Sequence, residues 1–184
     1  MAKTFDAIDA KLGAFIRKQK VFFVATAPLS PDGHVNLSPK GLAGTLAIID
    51  ERTIAYLDLT GSGVETIAHL RENGRVCIMF CAFEGPPRIV RVHGTGDVIE
   101  PHDEAFEALS AHFDEYPGVR SIIRVRARRI SDSCGYGVPL YEYKEERDQL
   151  QRWAERKGEA GVAQYRKDNN AESLDGLPRL LGDH

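Results

Sequence analysis

Short β-strands separated by tight turns dominate the sequence pattern, and they constrain the fold more than any other feature. Segments of alternating or continuous apolar character predict strands at Val21–Thr26, His34–Ser38, Gly44–Ile49, Thr53–Asp58, Arg75–Phe83, Arg88–Glu100 and Ser121–Ile130. The few helical segments do not alternate regularly with these strands, which argues against a doubly wound parallel sheet. The pattern therefore predicts a mainly β fold with flanking helices, arranged as a small antiparallel barrel.

Helical periodicity is confined to the flanks of this strand pattern. The predicted helices are an amphipathic one with apolar residues from Phe5 to Ile16, a short one from Ser62 to Gly74, one from Pro101 to about Phe113, and a charged one at Glu142–Lys157. Ser62 and Glu65 have the spacing of a capping box, and Gly74 is a typical stop. The composition changes after Pro139, so we expect a barrel domain at 1–140 and a C-terminal arm at 141–184.

Composition and charge exclude several classes of protein. The chain has 184 residues, of which 42% are hydrophobic and 28% charged, so it can form a packed core. A net charge of −3 disfavours a nucleic-acid partner. No apolar run approaches the ~18 residues of a membrane span, and the N-terminal residues lack a signal-peptide core. With three cysteines, the sequence predicts a cytoplasmic protein.

The first candidate binding segment is Asn36-Leu37-Ser38-Pro39-Lys40-Gly41. It places a hydroxyl and an ammonium at the end of a strand, and an ammonium is a strong point charge for a phosphate group. The alternative interpretation is a loop whose lysine is simply solvated, because exposed lysines are common.

The second candidate is Thr60-Gly61-Ser62-Gly63-Val64-Glu65-Thr66, which opens a helix directly after a strand. Helix N-termini favour anions because their first N–H groups are unpaired. Ser62 and Thr66 would add hydroxyl donors, and the two glycines would allow close approach. Glu65 opposes this interpretation, and a capped helix without a ligand is the alternative.

Arginines and cysteines provide the remaining candidates. Arg88 follows a rigid Gly-Pro-Pro turn and could supply a second cation, although a solvated arginine is an equal alternative. A basic ribbon of Arg120, Arg124, Arg126, Arg128 and Arg129 is predicted to be solvated or to face another subunit. Cys77 and Cys81 lack zinc-type spacing, so the sequence predicts inert thiols and no metal site.

The order of these motifs resembles the pyridoxamine 5′-phosphate oxidase-like family of FMN-binding split barrels. The resemblance covers about residues 20–100. It is carried by V-N-L-S-P-K-G, A-Y-L-D, T-G-S-G-V-E-T, E-N-G-R-V-C-I-M-F and G-P-P-R-I-V-R-V-H-G-T-G. Through S-C-G-Y-G-V-P and D-G-L-P it extends to a bacterial subgroup with a C-terminal arm.

The resemblance implies a six-stranded Greek-key split barrel that forms a homodimer with FMN at the subunit interface. Lys40 matches the lysine that ends an early strand of the family, Tyr56-Leu57-Asp58 matches a segment near the ribityl chain and ring, and Ser62 matches the serine of the helix loop. Two segments depart from the family pattern. Gly63-Val64 replaces an Arg-Lys pair, and Leu177-Pro178-Arg179-Leu180 replaces an Arg-Leu-x-Pro-type end. The second departure argues against pyridoxamine 5′-phosphate as the substrate.

The sequence therefore predicts a cytoplasmic, homodimeric, FMN-binding oxidoreductase whose substrate and electron donor it does not identify. The predicted cofactor-binding residues are Asn36, Ser38, Lys40, Tyr56, Leu57, Asp58, Ser62, Gly63, Thr66 and Arg88. No catalytic side chain is assigned. Two alternatives remain open: an F420-dependent oxidoreductase on the same barrel, and a flavin-binding carrier or sensor without turnover.

Overall fold

Residues 3–178 are described by a computed structural model, in which eight strands form one antiparallel sheet. The strands are β1 (Lys3–Phe5), β2 (Val21–Thr26), β3 (Asn36–Gly41), β4 (Leu46–Asp50), β5 (Thr53–Leu59), β6 (Arg75–Cys81), β7 (Ile89–Ile99) and β8 (Val119–Ser133). The helices are α1 (Ala10–Lys18), α2 (Glu65–Asn73), α3 (Ala105–Ser110) and α4 (Gln149–Asn169).

The sheet is curled into a half-barrel whose two edges face each other. Its strand order is β3-β2-β6-β7-β8-β5-β4, and β1 pairs beside this path with β8. The edge strands β3 and β4 are consecutive in the chain and are joined only by residues 42–45. The sheet must therefore curl until its ends approach, which leaves a seam between them. The predicted mainly β antiparallel fold is confirmed.

The strand count differs from the six strands that the family resemblance implies. β1 is three residues long, and its register with β8 runs from Lys3 opposite Asp132 to Phe5 opposite Ile130. The sequence pattern assigned Phe5 to a helix instead. Helix α1 begins only at Ala10, because Asp9 is its N-cap and accepts a hydrogen bond from the Leu12 N–H at 2.7 Å.

The core lies inside the curl, as the alternation along the strands predicts. On β2, Phe22 and Val24 are buried, whereas Val21 and Phe23 are only half-buried on the outer face. Helices α1 and α2 close the inside of the half-barrel with Leu12, Ile16, Ile67 and Leu70. A smaller cluster beneath α3 joins Leu57, Ile99, Leu109 and Ile122.

Helix α2 departs from the predicted capping box. Its N-cap is Val64, with no side-chain cap, so the prediction that Ser62 caps it is wrong. The carbonyls of Gly61 and Ser62 accept hydrogen bonds from the Asn170 side chain, which holds this segment as a loop. The predicted stop at Gly74 is confirmed, with a φ of 68°.

The C-terminal arm also departs from its predicted helix at Glu142–Lys157. Helix α4 begins at Gln149 and is interrupted at Gly158, where φ is 64°. Residues 141–143 are held against the β6–β7 turn instead, because the Tyr141 N–H donates to the Phe83 carbonyl and the Tyr143 N–H to the Glu84 carboxylate. The predicted end motif from Arg179 onward lies outside the described residues, and the division at 140/141 stays a prediction.

Helix α3 is shorter than the Pro101–Phe113 helix that the pattern predicts. Pro101 and the residues after it form turns before the helix, and Ser110 ends it. None of the helices within residues 3–178 has the length and apolar character needed to cross a membrane.

A candidate anion-binding site at the seam of the barrel

A buried carboxylate bridges two cations at the seam. The Lys40 Nζ lies 3.2 Å from Asp58 Oδ1, and the Arg120 Nε donates to Asp58 Oδ2 at 2.6 Å. Lys40 shares the inner face of β3 with Asn36 and Ser38, because these three residues lie opposite the buried residues of β2. Asp58 and Arg120 come from β5 and β8, so three strands build the centre.

The balance of charge at this centre favours an anion. Burial alone would raise the pKa of Asp58, but the charges of Arg120 and Lys40 and their hydrogen bonds outweigh it and lower the pKa to about 2. Asp58 is therefore ionised at neutral pH. One carboxylate facing two cations leaves one net positive charge, and Lys40 is the partly exposed member of the group.

A separate chain of hydrogen-bonded polar side chains begins at Ser38 on the same strand, and its members do not line the cavity beside Lys40. The Ser38 hydroxyl donates to Asn36 Oδ1 at 2.9 Å, and Asn36 Nδ2 donates to the hydroxyls of Thr26 and Thr66, both at 3.0 Å. The Thr26 hydroxyl lies 3.0 Å from His69 Nδ1. The structure thus brings Asn36, Ser38 and Thr66 together, as predicted candidates for one site, and adds Thr26 and His69.

His69 is held in its neutral form. Burial lowers the pKa of His69 despite the opposing charges of Asp175, Glu65 and Glu72. Its Nε2 atom is buried and has no hydrogen-bond partner among residues 3–178. A neutral ring here can accept or donate one further hydrogen bond.

Two further buried hydroxyls lie near Asp58. The hydroxyls of Tyr56 and Ser121 have no hydrogen-bond partner within the described part of the chain. Tyr56 faces the core on the strand that carries Asp58, and Ser121 is the cross-strand partner of Asp58. Burial and the charge of Asp58 raise the pKa of Tyr56 well above its usual value, so its hydroxyl keeps its proton.

A cavity of about 670 Å³ opens at the seam beside Lys40. Its lining comprises Lys20, Val21, Pro39, Lys40, Gly41, Leu42, Leu57, Leu59, Gly61, Tyr143, Glu145, Glu146, Arg147, Gln149 and Leu150. The volume falls within the roughly 300–1,000 Å³ range of small-molecule sites. Its walls are largely apolar, and its charged residues are the cations Lys20, Lys40 and Arg147 and the carboxylates Glu145 and Glu146. Such a lining suits a flat ring whose anionic group lies beside Lys40.

The C-terminal arm contributes two polar residues that the sequence analysis missed. Asn170 is fully buried; its Oδ1 accepts from Arg120 Nη1 at 2.9 Å, and its Nδ2 donates to the Gly61 carbonyl at 3.0 Å. Arg166 donates through Nε to the Thr60 hydroxyl at 2.9 Å. Burial and the charge of Arg120 lower the pKa of Arg166. These residues are far from Thr60 and Arg120 in the chain, so local spacing gave no signal for them.

Three of the predicted site residues, Arg88, Gly63 and Ser62, have contacts that differ from those expected at a phosphate site. Arg88 pairs with Asp132 at 2.9 Å and lies over the ring of Phe15, and it is not among the residues that line the cavity. A side chain at Gly63 would meet the Glu65 carboxylate, which therefore occupies the start of α2 where an anion was predicted. Ser62 contributes its carbonyl, a weak acceptor for Asn170 at 3.4 Å.

The basic ribbon is divided between two environments. Arg120 is buried at the seam, whereas Arg124 and Arg126 both pair with Asp97 on β7 at 3.0 Å. Burial raises the pKa values of the Cys77 and Cys81 thiols, although the charge of Arg91 opposes it. No group of three or more His, Cys, Asp or Glu residues suited to a metal ion occurs between residues 3 and 178.

The structure thus defines the class of antiparallel half-barrels with a cavity at the seam. Comparison with known proteins narrows this class, since the family model described as pyridoxamine 5′-phosphate oxidase matches residues 8–134. The chain belongs to that family.

Individual relatives extend this assignment. The pyridoxamine 5′-phosphate oxidase family protein ustO of Aspergillus flavus is 38% identical over 198 aligned residues, covering 96% of this chain and 77% of ustO. The similarity thus continues beyond residue 134 into the arm. A variant of HupZ from Group A Streptococcus has a similar fold, with a TM-score of 0.55 and 21% identity over 68% of this chain and 99% of HupZ.

Proposed function

We propose that this protein binds FMN at the seam cavity and acts as a flavin-dependent oxidoreductase. The observation that carries the proposal is the cavity beside Lys40, whose ammonium is held in place by the buried Asp58–Arg120 pair. Membership in the pyridoxamine 5′-phosphate oxidase family supports a redox role.

Each part of the cavity has a role in this proposal. Lys40 binds the phosphate group, because it is the cation that is both fixed by Asp58 and open to the cavity. Leu57, Leu59 and Pro39 supply apolar contacts for the ring, and Tyr143 of the arm shields it from water. The bound flavin would supply the electron transfer, and the protein positions it.

Homodimer formation is part of the same proposal. The outer face of β2, β3 and β6 carries Val21, Phe23 and Met79 half-buried and Leu37 63% exposed. Contiguous apolar surface of this kind is characteristic of protein–protein contacts. Because Val21 also lines the cavity, a second subunit on this face would lie close to the bound flavin.

The test is a binding titration on the purified protein. We expect a yellow protein, or one that binds added FMN with saturable quenching of flavin fluorescence. Lys40→Met should weaken FMN binding by ~1.5–3 kcal/mol, the scale of a hydrogen bond to a charged group. Lys11→Met, on the exposed side of α1, is the matched control and should bind as the wild type.

Other results of the titration would favour the alternative functions, namely F420 binding or a flavin carrier or sensor. A wild-type protein that binds no FMN would contradict the proposal, and preferential binding of F420 would replace FMN with that cofactor. Bound FMN that no nicotinamide donor or candidate substrate reduces would favour a carrier or sensor. Equal FMN affinity in wild type and Lys40→Met would remove Lys40 from the site.

A further inference from the structure

We propose that Asn170 of the C-terminal arm is a positioning residue for the phosphate end of the cofactor, acting through Arg120, Asp58 and Lys40. The inference rests on the proposed flavin site and goes beyond it, because it makes residues after the barrel part of the binding machinery. It is carried by one continuous series of buried contacts.

The series runs from the arm to the cavity without a gap. Asn170 Oδ1 accepts from Arg120 Nη1 at 2.9 Å, Arg120 Nε donates to Asp58 at 2.6 Å, and Asp58 lies 3.2 Å from Lys40 Nζ. Asn170 and Asp58 are fully buried and Arg120 is nearly so. Lys40 is the member of the series that lines the cavity, and its ammonium is held by Asp58, which Arg120 and, through it, Asn170 hold in turn.

Asparagine meets a double requirement at this point. Its carbonyl oxygen accepts from the Arg120 guanidinium, while its amide donates to the carbonyls of Gly61 and, more weakly, Ser62. Those carbonyls would otherwise present negative dipoles beside an approaching phosphate. A leucine could do neither, and an aspartate could accept from Arg120 but could not donate to the loop.

The position of Asn170 is also fixed by Arg166, which lies near the end of helix α4. Arg166, one turn earlier, donates through Nε to the Thr60 hydroxyl and through Nη2 to the Val119 carbonyl, both at 2.9 Å. The end of α4 is thus fixed to the β5–α2 loop and to the start of β8. These contacts place Asn170 between the two segments that carry Gly61 and Arg120.

The experiment compares FMN with riboflavin, which has the same ring but no phosphate. We expect Asn170→Leu to weaken FMN binding about tenfold and to change riboflavin binding less than about twofold, because the lost hydrogen bonds act on the phosphate end. Asn169→Leu is the matched control, since Asn169 is the exposed last residue of α4 and precedes Asn170 directly, and it should leave both affinities unchanged.

A second comparison tests the route through Lys40. In a Lys40→Met background, Asn170→Leu should change the ratio of FMN to riboflavin affinity by less than about twofold, because the group on which it acts is gone. If Asn170→Leu does not fold, Asn170→Ala serves in the same comparison, because it removes the same hydrogen bonds without adding a charge, and the same results are expected.

Three results would overturn the inference. They are unchanged FMN affinity in folded Asn170 variants, an equal loss of FMN and riboflavin binding, and full additivity with Lys40→Met. Each leaves the flavin proposal intact. A wild-type protein that binds neither compound would instead contradict the flavin proposal itself, so the two failures are distinguishable.

Discussion

At the scale of single residues, Asp58 is the most consequential side chain of the site. It is fully buried, and both of its oxygens are engaged by cations from other strands. Burying a charge is costly unless it is paired, so Asp58 and Arg120 stabilise the fold only together. The same pair keeps Lys40 near the cavity, so a change at Asp58 should affect both the stability of the fold and the proposed ligand binding.

Removal of the Asp58 charge should therefore be strongly destabilising. Asp58→Asn leaves the Arg120 guanidinium buried without a counter-charge, and we expect the free energy of unfolding to fall by ~3–5 kcal/mol. Urea denaturation measures the loss. Asp97→Asn is the control, because Asp97 pairs with Arg124 and Arg126 in partly exposed positions and should cost under ~1 kcal/mol.

Asp58 should also shape the acid response. Its pKa is about 2 in the folded protein and 3.8 ordinarily, so the unfolded chain takes up its proton first as pH falls. The corresponding stabilisation, about 2 kcal/mol, is complete above pH 3.8 and is lost as pH falls through about 2. Unfolding curves at pH 5, 4 and 3 should show this loss in the wild type, and a smaller slope in Asp58→Asn.

At the residue level, the sequence could predict which side chains share a strand face, whereas their binding of a cofactor stays a prediction. Asn36, Ser38 and Lys40 lie at alternate positions of one strand, so alternation alone gathers them on one face. The partners of Asp58 and Arg120 were not predictable in this way. Asn170 and Arg120 are 50 residues apart, and their contact depends on where the arm folds back onto the barrel.

At the scale of elements, long and regular segments were predicted more accurately than short or tethered ones. The strands β2, β5 and β6 follow directly from their apolar patterns. The strand β1 is too short to have a pattern and exists because β8 offers an edge. The charged segment at 142–148 has a helical pattern but forms no helix, and the Tyr141 and Tyr143 N–H groups donate to Phe83 and Glu84 instead.

The end of α2 provides an element-scale prediction. Gly74 has a φ of 68°, and a Cβ there would lie 2.9 Å from Thr95 Cγ2. Gly74→Ala should lower the free energy of unfolding by ~1–2 kcal/mol through left-handed strain and crowding. Gly137→Ala is the control, because a Cβ there has open space and no positive φ. Equal thermal midpoints for the two variants would contradict this account.

At the scale of the whole molecule, the apolar outer face predicts self-association. Phe23→Asp places a charge at the middle of this face while leaving the inner core untouched, so we expect folded monomers in sedimentation experiments where the wild type is dimeric. Leu174→Asp alters an equally apolar but separate residue that is 75% exposed, and it should remain dimeric. A monomeric wild type would remove the dimer from the proposal.

The placement of Asn170 has a consequence for how the protein matures on the ribosome. Arg120 emerges with the last barrel strand, but the amide that completes its hydrogen bonding is translated 50 residues later. Until then, we expect the Arg120 guanidinium of the nascent barrel to stay hydrated and the seam between β3 and β4 to stay open to solvent. Capture of a phosphorylated ligand would then be a late event in biosynthesis, timed by the arrival of the arm rather than by the folding of the sheet.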